Sequence, residues 1–249
     1  MHCFPVRTPI LKAGDDLASV LHKCADIQSG DIIIVSSKAI ATVEGAAVDL
    51  KKITPLDEAV TWATQCKRNA AFCQAVLDET QRLHGKALGA CPGAMVCEVQ
   101  PDGMSGTIIT ANAGLDESNI DDDFAIGWPL DPVSSALNLR QALGGQCAVI
   151  VTDSSVKPRR LGVTAFALTV AGMDPLRSEI GKKDLFGHTL HITVEAIADQ
   201  LAVTGNMLMG NAAQSMPVAI VRDHGFTLNE FAGWVPGINP AEDLFRGML

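Results

Sequence analysis

The chain has 249 residues, enough for one large or two small domains with a core that needs no disulfide staples. Hydrophobic residues at 47% and charged residues at 19% exclude a disordered chain and a coiled coil, and 4% aromatics with no Tyr argue against a base-stacking module. Nineteen basic against 28 acidic residues leave a net charge of −9, which argues against a nucleic-acid backbone binder but leaves room for a small anionic ligand in a local pocket. The most apolar run, Val163–Met173, is well short of the roughly 20 residues needed to cross a bilayer. Met1–Asp16 lacks the basic and apolar regions of a secretory signal. The seven cysteines form no Cys-x-x-Cys pair, and Cys66 and Cys73, two turns apart on one expected helix, would be separated by about 10 Å. All seven are read as reduced thiols in a cytoplasmic protein.

Ile32–Ser36 follows Gly30-Asp31 and is expected to be a buried strand. Thr54-Pro55 opens one helical region reaching about Leu83, with Val60, Trp62, Ala63, Cys66, Ala70 and Cys73 as its buried stripe. Gly85–Gly106 reads as loop-rich, with a turn at Cys91-Pro92-Gly93 and a strand at Met95–Val99; Gly106–Thr110 reads as another strand. Asp131 as N-cap and Pro132 at the first helical position start a helix that runs to about Leu143. Cys147–Thr152 is expected to be a strand that ends at a polar cluster, and Val163–Val170 another. Thr193–Met209 is expected to be a helix capped by a left-handed Gly210, Pro217–Val221 a late strand, and the tail from Thr227 irregular. The mixture predicts an α/β or α+β protein without internal repeats.

The sequence has no G-x-x-x-x-G-K-[ST] loop, G-x-G-x-x-G turn, H-E-x-x-H helix or G-x-S-x-G elbow. Three polar clusters remain. Asn112-Ala-Gly-Leu-Asp116-Glu-Ser-Asn119 offers oxygen donors of the kind hard cations take, or is a solvated Asx-turn. Thr152-Asp153-Ser154-Ser155, followed by Lys157, Arg159 and Arg160, is either a ligand site at a strand's carboxyl end or a surface turn; the arginines suit phosphate or carboxylate groups. Met209–Met216 taken alone is a helix cap and loop, and Asp121–Asp123 is a solvated face.

Taken together and in this order, the clusters resemble the γ-glutamyl ligase family that adds glutamate to the precursor of the deazaflavin coenzyme F420. The matching stretches also include Gly30–Ser37 with Glu44-Gly45, Ala75–Thr80, Pro129–Pro132, Val149–Ser154, Gly181–Gly187 and Thr193–Asp199 through Asn206–Gly210. The resemblance implies a homodimer with an α+β, mixed-sheet fold of two interleaved lobes. It makes 1–249 one ligase unit, with a smaller lobe within about 85–180. It also implies GTP as co-substrate, Mg²⁺ or Mn²⁺ (with K⁺ as a further ion), and L-glutamate and a small-molecule acceptor as partners, with no nucleic acid and no membrane.

By position, the resemblance makes Asp116 and Asp153 ligands of one metal, and Ser154 and Asn211 ligands of a second. Thr8, Pro9, Ile10, Leu11, Ser37, Lys38 and Asn119 take nucleotide contacts, as do Met209, Gly210, Asn211, Ala212, Ala213, Gln214, Ser215 and Met216. Asp153 is the expected catalytic centre, with Arg159 and Arg160 beside it at the acceptor. Three positions depart from the family pattern: Thr42 replaces a frequent Lys, Asn211 replaces a frequent acidic residue, and Ser155–Arg160 replaces a turn that often contains Gly-Arg. Two other readings share these residues: the same ligation on tetrahydrofolate, and a nucleotide-binding interaction protein without catalysis.

Overall fold

The structure, a computed structural model, describes residues 1–247; the last two residues of the expected 1–249 unit lie outside them. In chain order the elements are β1 (His2–Val6), α1 (Leu17–Cys24), β2 (Ile32–Ser36), α2 (Ser37–Val43), β3 (Val48–Asp49), α3 (Asp57–Cys66) and α4 (Ala70–Arg82). There follow β4 (Lys86–Cys91), β5 (Ala94–Val99), β6 (Ile108–Ala111), β7 (Phe124–Ala125), α5 (Pro132–Ala142), β8 (Ala148–Val156) and β9 (Val163–Ala171). The last are β10 (Arg177–Ser178), β11 (Val194–Glu195), α6 (Ile197–Met209), β12 (Val218–Arg222) and β13 (Ala232–Trp234). This is the expected α+β mixture around a mixed sheet.

The central sheet has the order β1-β12-β2-β8-β9-β13, and β2 pairs with β8 in parallel while its other pairs are antiparallel. Both faces are covered, which explains why Ile32–Val35 is a continuous apolar run rather than an alternating one. Ile33 and Val35 join the core shared with α1 to α5, whereas Ile32 and Ile34 join the core under α6. A second sheet, β4-β5-β6, packs with α3 and α4 on the first of these cores. The stretch 85–180 therefore divides between the two sheets, because β8 and β9 lie in the central one. Among the described residues no helix is long and apolar enough to cross a membrane.

The start of α5 matches its local signals: Asp131 accepts from Ser134 N at 3.0 Å, with Pro132 opening the helix. The single helix expected from Thr54 to Leu83 is two. Lys67 takes a left-handed conformation (φ 54°) that ends α3, and Asn69 caps α4 by accepting from Ala71 N at 2.7 Å. The chain folds back, so Cys66 and Cys73 lie Sγ to Sγ at 3.4 Å instead of about 10 Å along one helix. Val60, placed in the expected stripe, is half exposed. Lys86–Cys91 pairs with β5 as a hairpin where a loop was expected. The helix expected from Thr193 starts at Ile197, because Val194 and Glu195 pair with β10. Gly210 has φ 73° but ψ 178°, so α6 ends in an extended turn rather than a left-handed cap. Ala232–Trp234 adds an edge strand in the tail expected to be irregular.

All seven cysteines are free; Cys24 and Cys91 are exposed, and Cys66, Cys73, Cys97 and Cys147 are buried. Burial and the neighbouring Cys66 push the Cys73 thiol up to about 12, so it stays protonated at neutral pH. Brief alkylation of the native protein, read by peptide mass spectrometry, should mark Cys24 and Cys91 and spare the four buried thiols. Labelling of Cys73 as fast as Cys24 would contradict this packing.

Candidate active site

The parallel register of β2 and β8 sets Ser36 opposite Thr152, so the carboxyl ends of the two strands lie side by side. This is where α/β sheets present ligand groups. From β2 the chain turns at once into α2, bringing Lys38 and Thr42 to the cleft. On β8 a register shift between Val151 and Thr152 re-aims the strand just before Asp153. From the other side, the packing of α6 against β1, β9 and β12 delivers the loop that follows Met209. Thr8 N donates to Ser215 O at 2.9 Å, which ties the end of β1 to that loop.

The result is a cleft of about 490 Å³, a size ordinary for small-molecule sites. Thr8, Pro9, Ile10 and Leu11 form one wall, and Asn206, Met209, Gly210, Asn211, Ala212, Ala213, Ser215, Met216 and Pro217 another. Lys38, Asp116, Ser118, Asn119, Thr152, Asp153 and Ser154 supply the polar floor. The three clusters separated in sequence thus meet at one place.

Asp116 is held by the Lys38 ammonium and the Ser118 hydroxyl, while its Oδ1 accepts from Glu117 N at 2.8 Å. Burial disfavours its charged form, but Lys38 and Ser118 outweigh that and bring its carboxyl down to about 2. Its backbone pairs with Ile126 in both directions, at 2.9 and 2.8 Å. Asp153 lies in the opposite environment. Burial pushes its carboxyl up to about 6, against the lowering effect of hydrogen bonds from Trp128 and Ser154 N. Two neighbouring carboxylates whose protonation is driven apart in a cleft make it a candidate functional site.

The donors facing the cleft suit a hard divalent cation. They are the carboxylates of Asp116 and Asp153, the Ser154 hydroxyl and the Asn211 amide, all of which offer oxygen. Among the described residues no three His, Cys, Asp or Glu side chains cluster as a metal cage. Mg²⁺ commonly binds through one or two carboxylates completed by substrate phosphates, and two carboxylates are what this cleft supplies.

The model of the F420-0:gamma-glutamyl ligase family matches residues 5–223. The chain belongs to that family. It is 36% identical to the coenzyme F420:L-glutamate ligase of Methanosarcina acetivorans, over 87% of this chain and 83% of the relative. It is 37% identical to the Methanosarcina barkeri enzyme of the same name, over 89% and 85%. The enzyme of that name from Methanothermobacter thermautotrophicus is 32% identical over 96% of both chains.

Within this family member, four of the residues expected from sequence lie away from the cleft lining. Ser37 is fully buried with its hydroxyl unpartnered, and the adjacent Ser36 lines the cleft instead. Gln214 braces the loop from behind, its Oε1 accepting from Ala212 N at 2.7 Å. The strand expected to end at Thr152 continues to Val156 against β9, so Arg159 and Arg160 stand at the exposed tip of a hairpin and are not among the residues that line the chain's own cleft. Ser36 and Asn206 line the cleft without having been singled out by the sequence, and Ser118 lines it as part of the Asn112–Asn119 cluster. Trp128 was missed altogether; its one usable signal was a large aromatic directly before Pro129-Leu-Asp-Pro132 in a chain without Tyr.

Proposed function

We propose that this chain is a GTP-dependent ligase that joins L-glutamate to the carboxylate of the coenzyme F420 precursor. The observation that carries the reading is the convergence of Lys38, Asp116, Asp153 and the 209–217 loop on one cleft in a chain of this family. The γ-phosphoryl group of GTP passes to the acceptor carboxylate, giving an acyl phosphate and GDP. The glutamate amine then attacks the acyl carbon, phosphate leaves, the amide forms and the amine proton is lost. Mg²⁺ or Mn²⁺, when bound, offsets the charge of the triphosphate. Asp116 and Asp153 would hold that cation, with Ser154 and Asn211 offering neutral oxygens beside it. Lys38 adds a fixed positive charge next to Asp116, and the loop that follows Met209 lines the cleft beside it. Ile10 and Leu11 offer apolar surface for the purine.

The reading includes a homodimer in the cytoplasm. It draws support from the apolar side chains of Leu185, Phe186 and Ile192, exposed between β9 and α6, and from seven free cysteines. The test is a side-by-side assay of the purified protein with GTP, Mg²⁺ and labelled glutamate, given either the deazaflavin precursor or tetrahydrofolate. The expected result is one GDP and one phosphate for each amide formed on the deazaflavin precursor. Ligation of tetrahydrofolate alone would overturn the acceptor, and ligation of neither would overturn the ligase reading.

A further inference from the structure

Trp128 is almost fully buried, at 3% exposure, and a buried indole needs an acceptor for its N–H. That acceptor is Asp153: Trp128 Nε1 donates to Oδ2 at 2.6 Å, while Ser154 N donates to Oδ1 at 2.8 Å. The carboxylate is thus fixed at both oxygens. The indole is itself gripped. Phe166 packs edge-on with ring centroids 6.4 Å apart, and Trp234 lies tilted at 6.3 Å. Trp234 belongs to β13, beyond the residues that the family model matches.

On its remaining side the indole meets the turn that carries Asp116. Asn112, Ala113 and Gly114 all have positive φ (53°, 51° and 84°), a sequence of left-handed residues that costs energy at the two non-glycine positions. A Cβ on Gly114 would stand 2.4 Å from Trp128 Nε1, so only glycine lets this turn lie against the N–H. Two residues later, Asp116 pairs its backbone with Ile126, which itself lies two residues before Trp128. Both carboxylates of the cleft are therefore referenced to the same short segment.

We propose that Trp128 is a positioning residue: its Nε1–H holds the Asp153 carboxylate in fixed relation to Asp116, so that the two form a preorganised seat for a divalent cation. The inference rests on the reading of the cleft as a metal-assisted nucleotide site. Partners that orient a ligating carboxylate typically contribute tenfold to a hundredfold in metal affinity. The probe is Mn²⁺ alone, titrated into the full chain and followed by the electron paramagnetic resonance of the free ion, with thermal unfolding as the check on folding. Trp128→Phe removes the donor. Benzothienylalanine at position 128 removes it with the ring shape unchanged, and 7-azatryptophan there keeps both shape and N–H.

Wild-type protein and the azatryptophan form should bind Mn²⁺ alike, with the benzothienyl form weaker by tenfold or more while it still unfolds cooperatively; Trp128→Phe should be weaker as well, with a lower unfolding temperature for the lost packing. Equal affinity in the benzothienyl form would overturn the proposal by making the role one of ring shape alone, and equal weakening in the azatryptophan form would overturn it because the loss would then not follow the N–H. A wild-type chain that binds no Mn²⁺ at millimolar concentration would instead remove the metal reading of the cleft, and the proposal with it.

Discussion

Asp153→Asn is expected to lower ligation by on the order of a thousand-fold while the protein stays folded. The carboxylate faces the cleft beside Ser154 and is one of two that can hold a cation there. Losing one such charge removes several kcal/mol of stabilisation from phosphoryl transfer, and about 4 kcal/mol corresponds to a factor of about a thousand. The fold should survive because the Asn amide oxygen can still accept from Trp128 Nε1, and Ser154 N, released from its partner, lies at an exposed residue where water replaces it. The measurement is turnover at saturating metal together with the unfolding temperature. Wild-type turnover would remove Asp153 from the chemistry, and a collapse of the unfolding temperature would make its role structural.

Phe72→Ala is expected to cost about 3–5 kcal/mol of stability, the usual range for truncating a buried aromatic. Phe72 is 1% exposed in the core between α4 and the two sheets. For a chain of this size that corresponds to roughly 10 °C in the unfolding temperature. The ring also supports the cleft indirectly. The Arg68 guanidinium lies 4.3 Å from its centroid, donates to Gly93 O at 3.2 Å and pairs with Glu117, the neighbour of Asp116. The variant should therefore also loosen the Asp116 turn, seen as faster amide exchange over residues 115–119. A shift of less than 2 °C on thermal unfolding would show that the surrounding side chains close the cavity.

The readings that held were those with short-range causes. The buried strand Ile32–Ser36 was legible because an unbroken β-branched run after Gly-Asp suits a strand covered on both faces, and α5 because its cap and its proline are adjacent in sequence. The break at Lys67–Asn69 was harder. Its cap residue was visible, but the apolar spacing runs on through it, and only the packing of α3 against α4 decides that the chain folds back. The hairpin of β4 and β5 hides behind glycines, and the extension of β8 past Asp153 depends on its pairing with β9. That extension puts Arg159 and Arg160 at the exposed hairpin tip, outside the cleft lining, although they are close to Asp153 in sequence.

By itself the sequence determined the element types with strong local signals, a mixture of helices and strands that left α/β and α+β both open, and three polar clusters whose order matches one family. Tertiary structure alone decided that these clusters share a cleft. Lys38, Asp116 and Asp153 lie far apart along the chain and are joined by the parallel register of β2 and β8, and by the pairing of Asp116 with Ile126. It alone decided the hydrogen bond from Trp128 to Asp153 across 25 positions of sequence. The reason is physical: helix caps and apolar periodicity act over a few residues, whereas the meeting of distant side chains follows from strand register and crossover packing, which no local pattern encodes.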